Sequence, residues 1–335
     1  MVTAVRKSAV QPDPGAVHVN RTLTNLSIAY DPIQDGYVAD RVFPVVDVTN
    51  QTDVFWTFDK SYFLRDEVRE RAPLTESAGG GYEQAYASYL AKKYSVHQDV
   101  PDEVRANTDM ANADEGAQQW VTSQMWLHRE ITFANKAMTT GVWGTDVTGV
   151  AGTPTGNQVK QWNDAAATPI NDIFKWSTAM QTVTGRRGTK LVLGRPVWDA
   201  LKQHPTILDL LKYGQTAGNA AKATKEAVAA LLEVDEILVM EGIYNSAKEG
   251  ATPAYNFIGG KVALLVNTPA RPALRTASAG YTFQWSGLVG SANNGVRIKK
   301  FRMDMLSADR IEGDMAYDQK VVATDLGIFF TSLIA

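Results

Sequence analysis

The sequence predicts an α+β fold in which a body of strands and one long helix carries a long hairpin and an inserted α/β unit. Three observations predict it. Two segments with the two-residue period of strands flank the glycine run Gly79 to Gly81. A single helical period runs from Ala113 to Met138. From Pro169 to Asn267 helices alternate with short β-branched strands, the pattern of an α/β unit, and the chain then returns to strands. A unit flanked in this way makes one of the domains discontinuous.

The elements follow in chain order. Met1 to about Leu26 is polar and carries Pro12 and Pro14, which suits an extended arm. "YVADRVFPVVDV", Tyr37 to Val48, reads as a strand that Pro44 places at an edge or bulge. In "VFWTFDKSYFLRDEVRER", Val54, Trp56 and Phe58 alternate with Phe55, Thr57 and Asp59, which predicts a core strand. The same stretch ends in Arg65, Asp66, Glu67, Arg69, Glu70 and Arg71, three charges of each sign, so it is no polybasic tail. A second strand, Tyr82 to Val96, places Tyr82, Tyr86, Leu90, Tyr94 and Val96 on one face. After "QDVPDE" the helix Ala113 to Met138 begins, about 40 Å long at ~1.5 Å per residue. The glycine and threonine loop Thr139 to Gly156 stops it. In the C-terminal strands Val321, Val322, Ile328, Phe329 and Phe330 are the expected core.

Composition removes several kinds of chemistry. Of 335 residues, 44% are hydrophobic and 21% charged, as in an ordinary folded protein. The net charge of -3 argues against a dedicated DNA-binding domain. With no cysteine there are no disulfides, thiolate zinc sites, iron–sulfur clusters or cysteine nucleophiles. The N-terminus has no apolar signal region and "KVALLV" is far shorter than a membrane span, so no membrane partner is expected.

No catalytic, cofactor-binding or metal constellation emerges. His97, Asp99, Asp102 and Glu103 form the one His and carboxylate cluster; as a metal site these groups would have to converge. The plainer reading is a strand end and a helix start, with Pro101 and the acids in the first turn. "GRRGTK", Gly185 to Lys190, lacks the phosphate-loop spacing and reads as a turn. Ser278 has Thr276 where a nucleophile elbow needs glycine, and reads as loop. "RIKKFR" concentrates Arg297, Lys299, Lys300 and Arg302 in one strand, able to touch phosphates without reading sequence. A solvated or salt-bridged strand face is the favoured alternative. Strand parity puts Arg297 and Lys299 on one face, Lys300 and Arg302 on the other.

An isolated hairpin is marginal in water, and this one carries Phe55, Trp56, Phe58, Tyr62, Phe63, Tyr82, Tyr86, Tyr89 and Tyr94. If its rings are not packed on the chain's own body, a neighbouring molecule must cover them, with the balanced tip charges setting register. Such head-to-tail contacts close into rings or lattices.

The order of arm, long hairpin, long helix, inserted α/β unit and terminal strands resembles the major capsid proteins of tailed bacteriophages with the Hong Kong phage fold, shared with encapsulins. "ADRVFPVV", "DKSYFLRDEVRERAP", "SVHQDVPDEVRAN", "TTGVWGTDVTGVAGT", "LVLGRPVWDALKQHP", "LLEVDEILV" and "DRIEGDMAYDQKVVATDLG" carry the likeness, over nearly the whole chain. It implies an N-terminal arm and first strand (1–45), an E-loop hairpin (46–100), a P-domain spine helix and loop (101–168), an A-domain (169–290) and P-domain C-terminal strands (291–335). Phe55, Trp56, Phe58, Tyr62, Phe63, Arg65, Asp66, Glu67, Arg69, Glu70 and Arg71 become the inter-subunit contact. Arg297, Lys299, Lys300 and Arg302 become candidate DNA-facing residues.

The resemblance further implies no enzymatic activity, no cofactor, and a structural subunit forming hexamers and pentamers of an icosahedral shell. That shell would be assembled in the bacterial host cytoplasm and become the virion capsid around double-stranded DNA held by weak, non-specific contact. Strand-like coat sequence from about Tyr37 leaves no place for a helical scaffolding segment, so a separate scaffolding protein is expected, with a portal and optionally a decoration protein. Lys60 lies in the hairpin, but no isopeptide acceptor aligns with it. The alternatives are an encapsulin-like shell holding protein cargo, or a motif-poor enzyme using the His97 cluster.

Overall fold

The computed structural model describes residues 36–107, 113–213, 223–272, 276–289 and 295–335. The arm expected before residue 36 lies outside them. The organising strand is β14, Ala308–Val321, whose fourteen residues are long enough to pair with three partners. One edge takes β4 (Lys92–Pro101), antiparallel from Ala308 to Tyr317. The other edge takes β13 (Arg297–Met303) and then β12 (Gly280–Trp285), end to end. β1 (Val45–Val48) joins β12 in parallel and completes this five-stranded sheet.

Helix α4, Ala113–Ala137, lies along one face of that sheet. An earlier one-turn helix α1 (Ala39–Val42), α2 (Lys60–Phe63) and α3 (Asp102–Asn107) precede it in the chain. Ala117, Val121 and Met125 of α4 pack on Val100, Ile311, Met315 and Tyr317. Gly313 marks the closest approach, because a Cβ there would run into Val121. The helical period Ala113, Ala117, Trp120, Val121, Gln124, Met125, His128, Ile131 and Met138 predicts the buried stripe only in part. Trp120 is exposed, while Arg129, Glu130 and Phe133 are buried, because the C-terminal half of α4 is covered by α1 as well as by the sheet.

The second sheet has six strands in the order β6-β5-β15-β11-β7-β8. These are β5 (Thr145–Val150), β6 (Gln158–Lys160), β7 (Lys190–Gly194), β8 (Glu236–Met240), β11 (Ala263–Val266) and β15 (Gly327–Thr331). β7, β11 and most of β8 and β15 are buried on both faces, which is why they read as continuous apolar runs instead of alternating ones. One face holds a core with Trp162, Ile173, Leu191, Trp198 and Ile207, roofed by α5 (Pro169–Thr184), α6 (Arg195–Gln203), α7 (Pro205–Tyr213) and α8 (Lys225–Leu231). The other holds Phe43, Phe133, Trp143, Leu264 and Phe329, shared with α1 and the end of α4.

Several sequence expectations change. Tyr37 to Arg41 is not strand: a helical turn forms because the Glu130 carboxylate accepts from the backbone N–H groups of Val38 and Ala39. The expected loop Thr139 to Gly156 contains β5, whose parallel pairing with β15 comes from the far end of the chain. The single strand Tyr82 to Val96 is two strands, β3 (Gln84–Leu90) and β4, broken at buried Ala91 because they belong to different sheets. Sheet membership also crosses the expected boundaries. β12 from the 169–290 segment enters the five-stranded sheet, and β15 from the 291–335 segment enters the six-stranded one. Ile328, Phe329 and Phe330 are core as expected, whereas Val321 and Val322 are half-buried at the end of β14.

Gly194 ends β7 against the backbone of Gly259 and Gly260, where a Cβ would overlap two carbonyl oxygens. Backbone cannot retreat as a flexible side chain can. Gly194→Ala is therefore expected to cost about 1–3 kcal/mol, read as a lower midpoint in chemical denaturation.

Candidate functional site: the protruding hairpin and the charged strand

β2 (Thr52–Phe58) and β3 pair in an antiparallel ribbon separate from both large sheets. Register puts Trp56 opposite Tyr86 and Phe55 opposite Ala87, so the ribbon has two unlike faces. The face with Phe55 and Tyr89 turns to the body. Tyr89 stacks on Phe283 of β12 at 4.6 Å, Phe55 meets the same ring at 5.1 Å, and Lys320 lies over Phe55. The Leu90 N–H donates to Asp318 at 3.2 Å and Lys320 donates to the Ser88 carbonyl. These anchors, Phe283, Asp318 and Lys320, were invisible in the sequence because they lie some 200 residues away.

The opposite face is bare. Val54 is 61%, Trp56 57% and Tyr86 66% exposed, with the two rings 5.1 Å apart. The expectation of a core strand through Val54, Trp56 and Phe58 is thus corrected: among the described residues Phe55 is the packed side, and Val54 and Trp56 on the other face are exposed. Further out, Phe58, Phe63 and Tyr82 form a small ring cluster, with Phe63 and Tyr82 exposed. Tyr62 donates to Glu83.

Beyond the one-turn α2 the tip is irregular. Its base is tethered by the ion pair of Lys60 with Asp325. Arg65 stands 3.7 Å from Glu67, Asp66 accepts from the Val68 N–H, Arg69 reaches the Val68 carbonyl and Arg71 the Thr75 carbonyl, while Glu70 is exposed. These side chains bond within the tip, leaving it charged and solvated. Arg65, Glu67 and Arg69 line an open groove of about 560 Å³ that also touches Tyr62, Phe63 and Tyr82.

The basic strand is β13, and each of its four cations meets carboxylates. Arg297 and Lys299 reach Asp314 at 3.1 and 2.5 Å. Lys300 reaches Asp114 at 2.6 Å and Arg302 reaches Asp102 at 2.5 Å, with Asp309 between them. The two faces are those parity predicts. Asp314 is fully buried in side chain; burial pushes its carboxyl up, but Lys299, Ser95, Lys93 and Arg297 outweigh burial and hold it well below the usual carboxylate range.

The His97 cluster does not converge. Asp99 takes a two-pronged bond from Arg310 at 2.7 and 2.8 Å, Asp102 belongs to Arg302, Glu103 is exposed and His97 lies across from Glu312. Among the described residues no three His, Asp or Glu side chains stand ready to hold a metal, and no helix is long and apolar enough to cross a membrane.

The ribbon packs one face on the chain's own body and exposes the aromatic other, beside two sheets and one long helix. Residues 152–283 match the family described as phage major capsid protein E. The major capsid protein of Burkholderia phage BcepMu is 24% identical over 236 residues, 70% of this chain and 72% of that protein. A phage-related protein from Bordetella bronchiseptica superposes with a TM-score of 0.65 at 19% identity, over 94% of this chain and 97% of the other. The capsid of cyanophage P-SCSP1u gives 0.57 at 12% identity, covering 88% and 87%. The SrpI encapsulin of Synechococcus elongatus gives 0.51 at 10%, covering 87% and 85%. The chain is thus similar to phage major capsid proteins, with the family match confined to residues 152–283.

Asp314 yields a pH-dependent expectation. Because its folded value is depressed below the ordinary 3.8, its stabilisation is present above that value and is lost as pH falls below it. Asp314→Asn should cost about 1.5–3 kcal/mol at neutral pH. The gap from wild type should narrow below about pH 4, as measured by urea denaturation across pH.

Proposed function

We propose that the chain assembles through hexamers and pentamers into an icosahedral shell, the capsid of the virion, with the ribbon Thr52–Leu90 laid over an adjacent copy. The observation that supports this is the bare face of Val54, Trp56 and Tyr86. A monomer has no use for an aromatic stripe in water, while a neighbour that covers it recovers roughly 1.5–3 kcal/mol per ring, repeated at every copy. The charged tip, Arg65 to Arg71, sets register on that neighbour. Assembly takes place in the host cytoplasm with a separate scaffolding protein and a portal, and with a decoration protein where the outer surface carries one.

The shell encloses double-stranded DNA. Arg297, Lys299, Lys300 and Arg302 are the proposed DNA-facing residues, and their carboxylate partners keep the contact weak and blind to sequence, as a wall along which a stiff polyanion must slide requires.

Trp56→Ala separates folding from assembly. Its side chain is mostly exposed, so subunit stability should change by less than about 0.5 kcal/mol, whereas shell yield by sedimentation and negative-stain imaging should collapse. Shells forming as readily as in wild type would remove the ribbon from the contact. Reversing Arg65, Arg69 and Arg71 to Glu makes a tip of six negative charges; assembly should fail at low salt and partly recover at high salt. Neutralising Lys299 and Lys300 to Gln should leave empty-shell yield intact and alter only the temperature at which filled particles release DNA. Loss of empty shells would count against an inward-facing β13.

A further inference from the structure

Two features of opposite shape lie on different elements of the chain. One is the groove at the ribbon tip, where Tyr62, Phe63 and Tyr82 supply rings and two guanidiniums, Arg65 and Arg69, stand against the single carboxylate of Glu67. Phe63 and the Arg65 side chain are each 61% exposed, so ring and guanidinium both face solvent.

The other is the turn from β13 into β14, Asp304–Leu306. Among the described residues outside the ribbon, Met305 is the most exposed large apolar side chain, at 97%, with Leu306 exposed beside it and the Asp304 side chain at 92%. The turn is fixed at several points. Ser307 closes it in the left-handed region at φ 47°, its N–H donating to the Asp304 carbonyl at 3.3 Å, and the Ser307 carbonyl accepts from the Asp102 N–H at 3.0 Å. Arg302 pairs with Asp102 and stands 3.5 Å from Asp304. An apolar knob held in this way loses little freedom when it docks.

We infer that the turn Asp304–Leu306 of one copy inserts into the ribbon-tip groove of another, with Met305 against the rings of Phe63 and Tyr82 and Asp304 against Arg65 and Arg69. The inference rests on the proposed laying of the ribbon over an adjacent copy and names what that ribbon receives. A thioether packs favourably against ring edges, and a carboxylate meeting a guanidinium fixes register. Acid and apolar side chain are neighbours in the turn, as guanidinium and ring are in the groove. Other exposed apolar side chains off the ribbon match less well. Trp120, Val183 and Leu210 lie on the flanks of α4, α5 and α7, and Tyr255 and Phe257 on the strand Tyr255–Phe257 have no acid beside them. Because groove and knob are different patches, each copy gives one and receives one, a head-to-tail contact that runs on from copy to copy.

The chain contains no cysteine, so thiol cross-linking reports the contact without background. Ala78 is on the groove wall. Assembled particles of the double variant Ala78→Cys, Met305→Cys are treated with a short bis-maleimide and separated under denaturing conditions. A ladder of dimers, trimers and longer species is expected, absent from dissociated subunits and from either single variant. Unlinked particles of the double variant would overturn the inference, and so would linkage in Met305→Cys alone, which would mean that turn meets turn. If the double variant does not assemble, charge reversal decides. Asp304→Arg should cut particle yield at low salt about tenfold, and adding Arg65→Glu and Arg69→Glu should restore it; no recovery would sink the pairing. Trp56→Ala run alongside separates the two failures. Particles that still need Trp56 but do not cross-link remove only the turn as partner, whereas particles indifferent to Trp56→Ala remove the ribbon contact and the inference with it.

Discussion

Everything in this subunit hangs on the backbone pairing of β14. A strand of fourteen residues presents a long row of N–H and C=O groups, each costly to leave unpaired when buried. Two nearby strands, β12 and β13, and the distant β4 pair with it, and the sheet they make is the platform for α4 and for the root of the ribbon. Asp314 stands mid-strand, where Lys93 of β4 and Arg297 and Lys299 of β13 converge on it. The ion cluster pins neighbouring strands in register on the face away from α4, while Ile311 and Met315 do so by packing on the helix side.

From that platform the ribbon projects as a cantilever. Its inner face is held at the base by Phe283, Asp318 and Lys320, and Lys60 pairs with Asp325. A two-stranded ribbon cannot bury both faces within one chain. One face of the ribbon is thus packed on the body and the other carries exposed rings.

The other long-range device is the junction between the sheets. Phe43 meets Phe133 edge to face at 5.2 Å and Trp143 at 6.5 Å, so the strap formed by residues 36–43, helix α4 and the approach to β5 share one aromatic core. Polar anchors surround this core on both sides of the strap. The junction is therefore held by aromatic packing and by a charge cluster.

Local patterns determined much of this protein from sequence alone. The 3.6-residue period gave α4 to within one residue of its end, and the turn signal at Gly185 is the left-handed cap of α5. The apolar runs gave β7, β8 and β11, and the rings around Gly79 to Gly81 gave the hairpin. Tertiary structure alone decided which ring of the ribbon is packed, since period two defines two faces without saying which one meets the body. It also decided that β5 and β15 share a sheet and that β12 leaves the α/β unit, because a strand's partner can lie almost anywhere in the chain. Arg129 and Glu130 are charged residues that the helical period does not mark as buried. Only the strap folding back across α4 buries them.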